Sequence, residues 1–223
     1  SSAASDVYKR QFSTRIAEYH PFKLYLEELP VWDGVDRLAA LARRVSRDQL
    51  WVKEFHIWMR GMTAQWMGVT GSHANSVAPL LISTEQGYLK STFCKSLLPP
   101  ALQRYYMDKV DLTSQGHIER RLAEMGLLNL DEFDKYAPTK MPLLKNLMQM
   151  ASLSLCKAYQ KNYRSLPRIA SFIGTSNRKD LLTDPTGSRR FICVLVEYPI
   201  DCEGIDYAQP VSYTHLRAHE TAA

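Results

Sequence analysis

The chain is 223 residues long and 45% apolar, with 28 Lys and Arg against 23 Asp and Glu for a net charge of +5. That suffices for one good core and a small accessory subdomain, and so mild a positive excess permits nucleic-acid binding without implying it. No apolar run approaches the roughly 20 residues that cross a bilayer, the N-terminus has no apolar signal segment, and Cys94, Cys156, Cys193 and Cys202 form no C-x-x-C pair, so the composition speaks against membrane, secreted disulfide-rich and zinc-finger classes and for a soluble, cytoplasmic chain with reduced thiols.

Residues 1–11 (SSAASDVYKRQ) and 211–223 (VSYTHLRAHETAA) resemble translated sequencing-adapter read-through at the edges of metagenomic reading frames. They are read as non-native ends of a longer natural protein, the alternative being ordinary polar tails. Residues 12–75 form a helical N-terminal subdomain in this reading. Phe22, Leu26 and Leu29, then Val35, Leu38, Leu41 and Val45, then Trp51, Phe55, Trp58, Met59, Met62 and Trp66 recur at helical spacing. The aromatic stripe is expected to be a core face rather than a platform for stacking bases.

From residue 76 the pattern changes to alternating strands and helices, expected to run to residue 198 as an α/β core with 199–210 as its tail. Val77–Ser83 reads as a strand, Ser91–Leu98 as a helix stopped by Pro99 and Pro100, and Arg104–Val110 as a second strand. Next come a helix marked by Ile118, Leu122 and Met125 with Ser114 as N-cap, a third strand at Gly126–Leu130, and one long helix over Lys140–Tyr159. Ile169–Gly174 and Phe191–Val196 complete five strands. The fold class is therefore α/β, a mostly parallel five-stranded sheet flanked by helices, with ligand expected beyond the carboxyl ends of the strands.

Chemistry concentrates at those strand ends. PLLISTEQGYLKSTF at residues 79–93 has the layout of a phosphate-binding P-loop: an apolar strand, a polar turn, then a helix opened by Lys-Ser-Thr. Glu85, Gln86, Gly87, Tyr88, Leu89, Lys90, Ser91 and Thr92 are the expected cradle, with Lys90 as counter-charge and the Ser91 hydroxyl on Mg²⁺. The pattern G-x-x-x-x-G-K-[ST] would place glycines where Thr84 and Leu89 stand. A reshaped loop or a weaker grip on nucleotide is the expected consequence.

Downstream, Gly126–Glu132 is an apolar strand ending in two carboxylates. Asp131 suits a role on Mg²⁺ and Glu132 that of the base for an attacking water, or the pair simply caps a helix. Thr175, Ser176 and Asn177 end another strand, either as turn formers or with Asn177 as a γ-phosphate sensor. Arg189 and Arg190 precede the fifth strand and suit an arginine finger acting in their own subunit or a neighbour's, or else a solvated ion-paired turn. Lys157, Lys161, Arg164 and Arg168, interleaved with Tyr159 and Tyr163, suit single-stranded DNA or a solvated surface loop.

The succession EQGYLKSTF, LLNLDEFD, SFIGTSN and DPTGSRRF, with HPFKLYLEELPVWDGVDRL upstream, resembles the virulence-associated protein E family over residues 20–198. Members are P-loop ATPases related to the primase-helicases of viruses and phages, found on prophages, plasmids and mobile islands. The resemblance implies a fold of the AAA+ and superfamily 3 helicase kind and ATP hydrolysis coupled to work on DNA. It carries Lys90, Ser91, Asp131, Glu132, Asn177 and Arg189 or Arg190 onto the roles just given. The expected cofactors are ATP and Mg²⁺, and the expected partners are single-stranded or forked DNA, further copies in a ring and a primase. A nucleotide-gated DNA-binding or scaffold module with little turnover is the alternative; a small-molecule kinase fits less well, because no substrate lid is evident.

Overall fold

A computed structural model describes residues 19–205 except 32, 71–72, 157–162 and 183–188. Three helices open it: α1 (Pro21–Glu27), α2 (Arg37–Arg43) and α3 (Gln49–Met67). Each starts on a side-chain cap, from His20, Asp36 and Asp48 respectively, and Gly68 closes α3 in the left-handed conformation at φ 73°. The aromatic stripe of α3 is core: Trp51, Phe55, Trp58 and Trp66 are buried, and the Trp51 and Trp66 indoles donate to the Ala42 and Gly126 carbonyls at 2.8 and 3.2 Å. Gly126 is required there, because a Cβ would stand 2.5 Å from the Phe22 ring.

The α/β part comprises β1 (Ala78–Ile82), α4 (Lys90–Ser96), β2 (Tyr106–Asp108), α5 (Gln115–Glu124), β3 (Leu127–Leu130), α6 (Met141–Gln149), β4 (Ser152–Cys156), β5 (Tyr163–Pro167), β6 (Ser171–Ser176) and β7 (Phe191–Leu195). Five strands pair in parallel in the order β2-β3-β6-β1-β7. Leu81, Leu127, Ile173 and Val194 pack under α4 and the N-terminal helices, whereas Ala78, Leu128, Leu130 and Phe172 pack under α5 and α6. Burial on both faces explains why β1, β3 and β6 carry so little polar alternation. No described helix is long and apolar enough to cross a membrane.

The five-stranded parallel sheet matches the sequence expectation, but some boundaries move. A 3₁₀ turn at Pro100–Tyr105 takes the start of the second expected strand, and Ser114 occupies the N-cap position without a side-chain bond. The long helix over Lys140–Tyr159 is not present: α6 ends at Gln149, and β4 follows, antiparallel to β5, as a separate hairpin. Leu155 continued the helical spacing of Leu144 and Leu147, yet Ser-Leu-Ser-Leu alternates with period two, and Leu153 is buried between exposed Ser152 and Ser154. The two ends read as non-native lie outside the described residues.

Candidate active site

The strand order inserts β6 between β1 and β3, so the tips of the P-loop strand, the acidic strand and the polar strand are neighbours. Around them opens a cleft of about 340 Å³ lined by Gln86, Gly87, Tyr88, Leu89, Lys90, Ser91, Thr92, Asp131, Glu132, Thr175 and Asn177. Glu85 lies just behind it, its carbonyl accepting from the Ser83 hydroxyl at 2.8 Å. Nearly the whole loop expected from sequence faces one space.

Lys90 starts α4 and reaches back over β1. Its ammonium donates to the Ser83 hydroxyl at 2.7 Å, the Ser83 carbonyl at 3.3 Å and Asn177 Oδ1 at 2.9 Å. Partial burial lowers its pKa, while the negative charges of Asp131 and Asp134 oppose that pull. The Ser91 hydroxyl donates to Asp131 Oδ1 at 2.8 Å, and so does Thr175 Oγ1, at 2.7 Å. Leu130 is in register with Gly174, so Asp131 and Thr175 come next on adjacent strands and lie side by side. The same Thr175 oxygen accepts the Glu132 N–H at 3.2 Å. Glu132 itself has φ 52°, and its carboxylate pairs with Lys135 at 2.5 Å. Strain of this kind is tolerated where several contacts hold the backbone.

Leu89 answers the question of the absent glycine. It has φ 56° and ψ 25°, the left-handed geometry a glycine would adopt freely, and its half-exposed side chain stands on the cleft rim. The loop thus takes a glycine's shape with a leucine, at a cost. Relief of about 1–2 kcal/mol of steric strain, less about 0.4–1 kcal/mol of chain entropy, leads us to expect Leu89→Gly to be more stable by about 0.5–1 kcal/mol in urea unfolding. A less stable Leu89→Gly protein would contradict that geometry.

Other expected site residues fall elsewhere. Arg189 is exposed and Arg190 half-buried before β7, at the end of the sheet opposite the cleft, since β7 starts beside Ala78. Four residue steps separate Ala78 from Ile82, about 13 Å at ~3.3 Å each, so neither arginine is brought to its own chain's cleft. The preceding part of that turn, 183–188, lies outside the described residues. Arg168, grouped by sequence with a DNA-binding stretch, is 1% exposed and donates to the carbonyls of Ala170, Leu147, Met148 and Asn75 at 2.6–3.0 Å. That corrects the assignment, because a guanidinium so enclosed cannot meet a phosphate backbone. Lys157 and Lys161 lie outside the described residues, and Arg164 lies on β5 opposite Leu155.

Sequence reasoning missed Ser83, Asp134 and the bridging role of Thr175. Hydroxyls at successive strand tips were the available signal, but their use depends on the strand order. The donor set of one hydroxyl and one carboxylate, all hard oxygen, fits Mg²⁺, which keeps much of its water and leans on phosphate oxygens. No cluster of three or more His, Cys, Asp or Glu suited to a metal exists among the described residues.

A parallel sheet of this order, with a Lys-Ser helix start facing an acidic strand tip across a polar strand, defines a P-loop nucleoside-triphosphatase domain. The chain belongs to the virulence-associated protein E-like domain family, whose model matches residues 26–212, and membership implies nucleotide binding. It is similar in fold to the A-form apo structure of the NrS-1 C-terminal region, residues 305–718, at TM-score 0.53 and 16% identity, covering 86% of this chain and 44% of that one. A second A-form apo structure of that region gives TM-score 0.52 and 17% identity over 86% and 46%. This chain thus spans less than half the length of those structures. No curated protein matches it.

Proposed function

We propose that this domain hydrolyses ATP with Mg²⁺ and couples the reaction to remodelling or unwinding of DNA in phage or mobile-element replication. The observation that carries the reading is the convergence of Lys90, Ser91, Asp131, Glu132 and Asn177 on one cleft from three adjacent strand tips. Lys90 supplies positive charge to the terminal phosphates once it leaves Ser83, and the start of α4 adds backbone N–H donors. Ser91 and Asp131 would hold Mg²⁺, which would supply positive charge against the charge that develops on the phosphates. Thr175 keeps Asp131 oriented by its 2.7 Å bond and fixes the Glu132 backbone. Glu132 takes a proton from the attacking water, a step that requires its carboxylate to exchange Lys135 for that water.

Because Arg189 and Arg190 stand away from their own cleft, an arginine finger from this turn would act on a neighbouring copy, which supports a ring as part of the reading. DNA contact rests on the family's kinship with primase-helicases and on the basic residues Lys157, Lys161 and Arg164 in the sequence. The test is phosphate release from Mg·ATP with and without single-stranded DNA. Turnover that needs Mg²⁺ and rises with DNA is the expected result, and absence of turnover despite tight ATP binding would instead support the nucleotide-gated DNA-binding or scaffold module.

A further inference from the structure

Three residues beyond Asp131, the 3₁₀ turn Phe133–Lys135 aims a further carboxylate at the tip of β6. Asp134 Oδ1 accepts the Ser176 hydroxyl at 2.7 Å and the Asn177 backbone N–H at 3.2 Å, and Asn177 passes the connection on by accepting from Lys90 at 2.9 Å. Burial alone would push the Asp134 carboxyl up, but these two donors and the nearby Lys135 charge outweigh it and hold the group below the usual carboxylate range. It is therefore an ionised acceptor, and bonds to an ionised acceptor are stronger and more directional than neutral ones.

Asn177 is exposed at the strand's end, and Arg178 N–H returns to the Ser176 hydroxyl at 3.2 Å rather than continuing the sheet. Without Asp134, the Asn177 N–H and the Ser176 hydroxyl lose the oxygen that both address. We propose that Asp134 is a positioning residue: it fixes the backbone of Asn177 so that the carboxamide meets Lys90 and the third phosphate of a bound nucleoside triphosphate, and thereby sets the preference for triphosphate over diphosphate. The inference rests on the ATP-binding reading above. It adds a residue that touches neither nucleotide nor metal and acts through Asn177.

The readout is the ratio of dissociation constants for Mg·ADP and a non-hydrolysable Mg·ATP analogue, measured by calorimetry on the full chain. Asp134→Ala is expected to lower that ratio about tenfold, through weaker triphosphate binding with little change for ADP. Asp134→Asn keeps an acceptor oxygen in place and is expected to recover the ratio to within about threefold of wild type. A purely structural loss would weaken both nucleotides alike and lower the melting temperature without moving the ratio. An unchanged ratio in Asp134→Ala, or an Asp134→Asn protein as impaired as the alanine variant, overturns the inference while leaving the ATP-binding reading intact. Should Asp134→Ala not fold, Ser176→Ala is expected to lower the ratio by a few-fold, and an unchanged ratio there overturns the inference equally. Failure of the wild-type chain to bind either nucleotide overturns the ATP-binding reading and this inference together.

Discussion

A Glu132→Gln protein is expected to bind Mg·ATP within a few-fold of wild type and to turn it over ~10²–10⁴ times more slowly, the range that a general base contributes. Gln keeps the shape and the backbone N–H that Thr175 holds at 3.2 Å, so the cleft should stay assembled. It cannot accept a proton from water, and that is the whole intended lesion. The substitution also removes the ion pair with Lys135, but both side chains are substantially exposed, at 42% and 66%. A pair that wet contributes little to stability, so the melting temperature should barely move. Single-turnover phosphate release alongside equilibrium binding separates the two effects. Turnover near the wild-type rate would remove Glu132 from the reaction and shift the base to another group at the cleft.

The largest expected effect on stability lies away from the cleft, at Arg168. Its guanidinium is buried over the Phe172 ring at 5.4 Å with no carboxylate hydrogen-bond partner among the described residues, and burial lowers its pKa to about 10, so it stays charged at neutral pH. Two of the carbonyls it addresses, those of Leu147 and Met148 at 3.0 and 2.6 Å, belong to the last turn of α6, where the helix leaves acceptors unpaired and its dipole is negative. A third is on Asn75, ahead of β1, and a fourth on Ala170, ahead of β6. One side chain thus joins the end of α6, the base of the hairpin and the entries to the two central strands.

Arg168→Met removes the donors and leaves those carbonyls buried, at an expected cost of about 3–5 kcal/mol, comparable to breaking a buried charged network. For a chain of this size that corresponds to a fall in melting temperature of about 10 °C. Arg168→Lys should recover only part of it, because an ammonium cannot reach all of these carbonyls as a planar fork does. Thermal unfolding by circular dichroism decides it. An Arg168→Met protein of unchanged stability and weakened DNA affinity would restore the nucleic-acid role that the burial argues against.

These residues also mark what sequence reading can and cannot reach. Lys90, Ser91, Asp131, Glu132 and Asn177 were legible because each ends or follows a short apolar run, and strand tips are where a parallel sheet collects its polar chemistry. The tryptophans and Phe55 of α3 were legible for the opposite reason, their spacing placing them on one face. Thr175 and Asp134 were not, since their partners come from strands some forty residues away and depend on side-chain direction at the tip. Arg168 was misjudged because composition reports charge and not enclosure. The hairpin was hidden by a leucine spacing that suits a helix and a strand at once, and the alternation in Ser152–Leu155 was the signal that distinguishes them.

The measurement closest to the central claim is a calorimetric titration of Mg·ATP into the chain and into its Lys90→Ala variant. Lys90 holds the cleft's central ammonium, bonded to Ser83 and Asn177, so its removal should weaken binding ~100-fold while the fold persists, a loss of about 2.7 kcal/mol. Saturable binding by the wild-type chain and this loss in the variant are the results predicted. Equal affinity in the two proteins would contradict the assignment of the cleft as the nucleotide site.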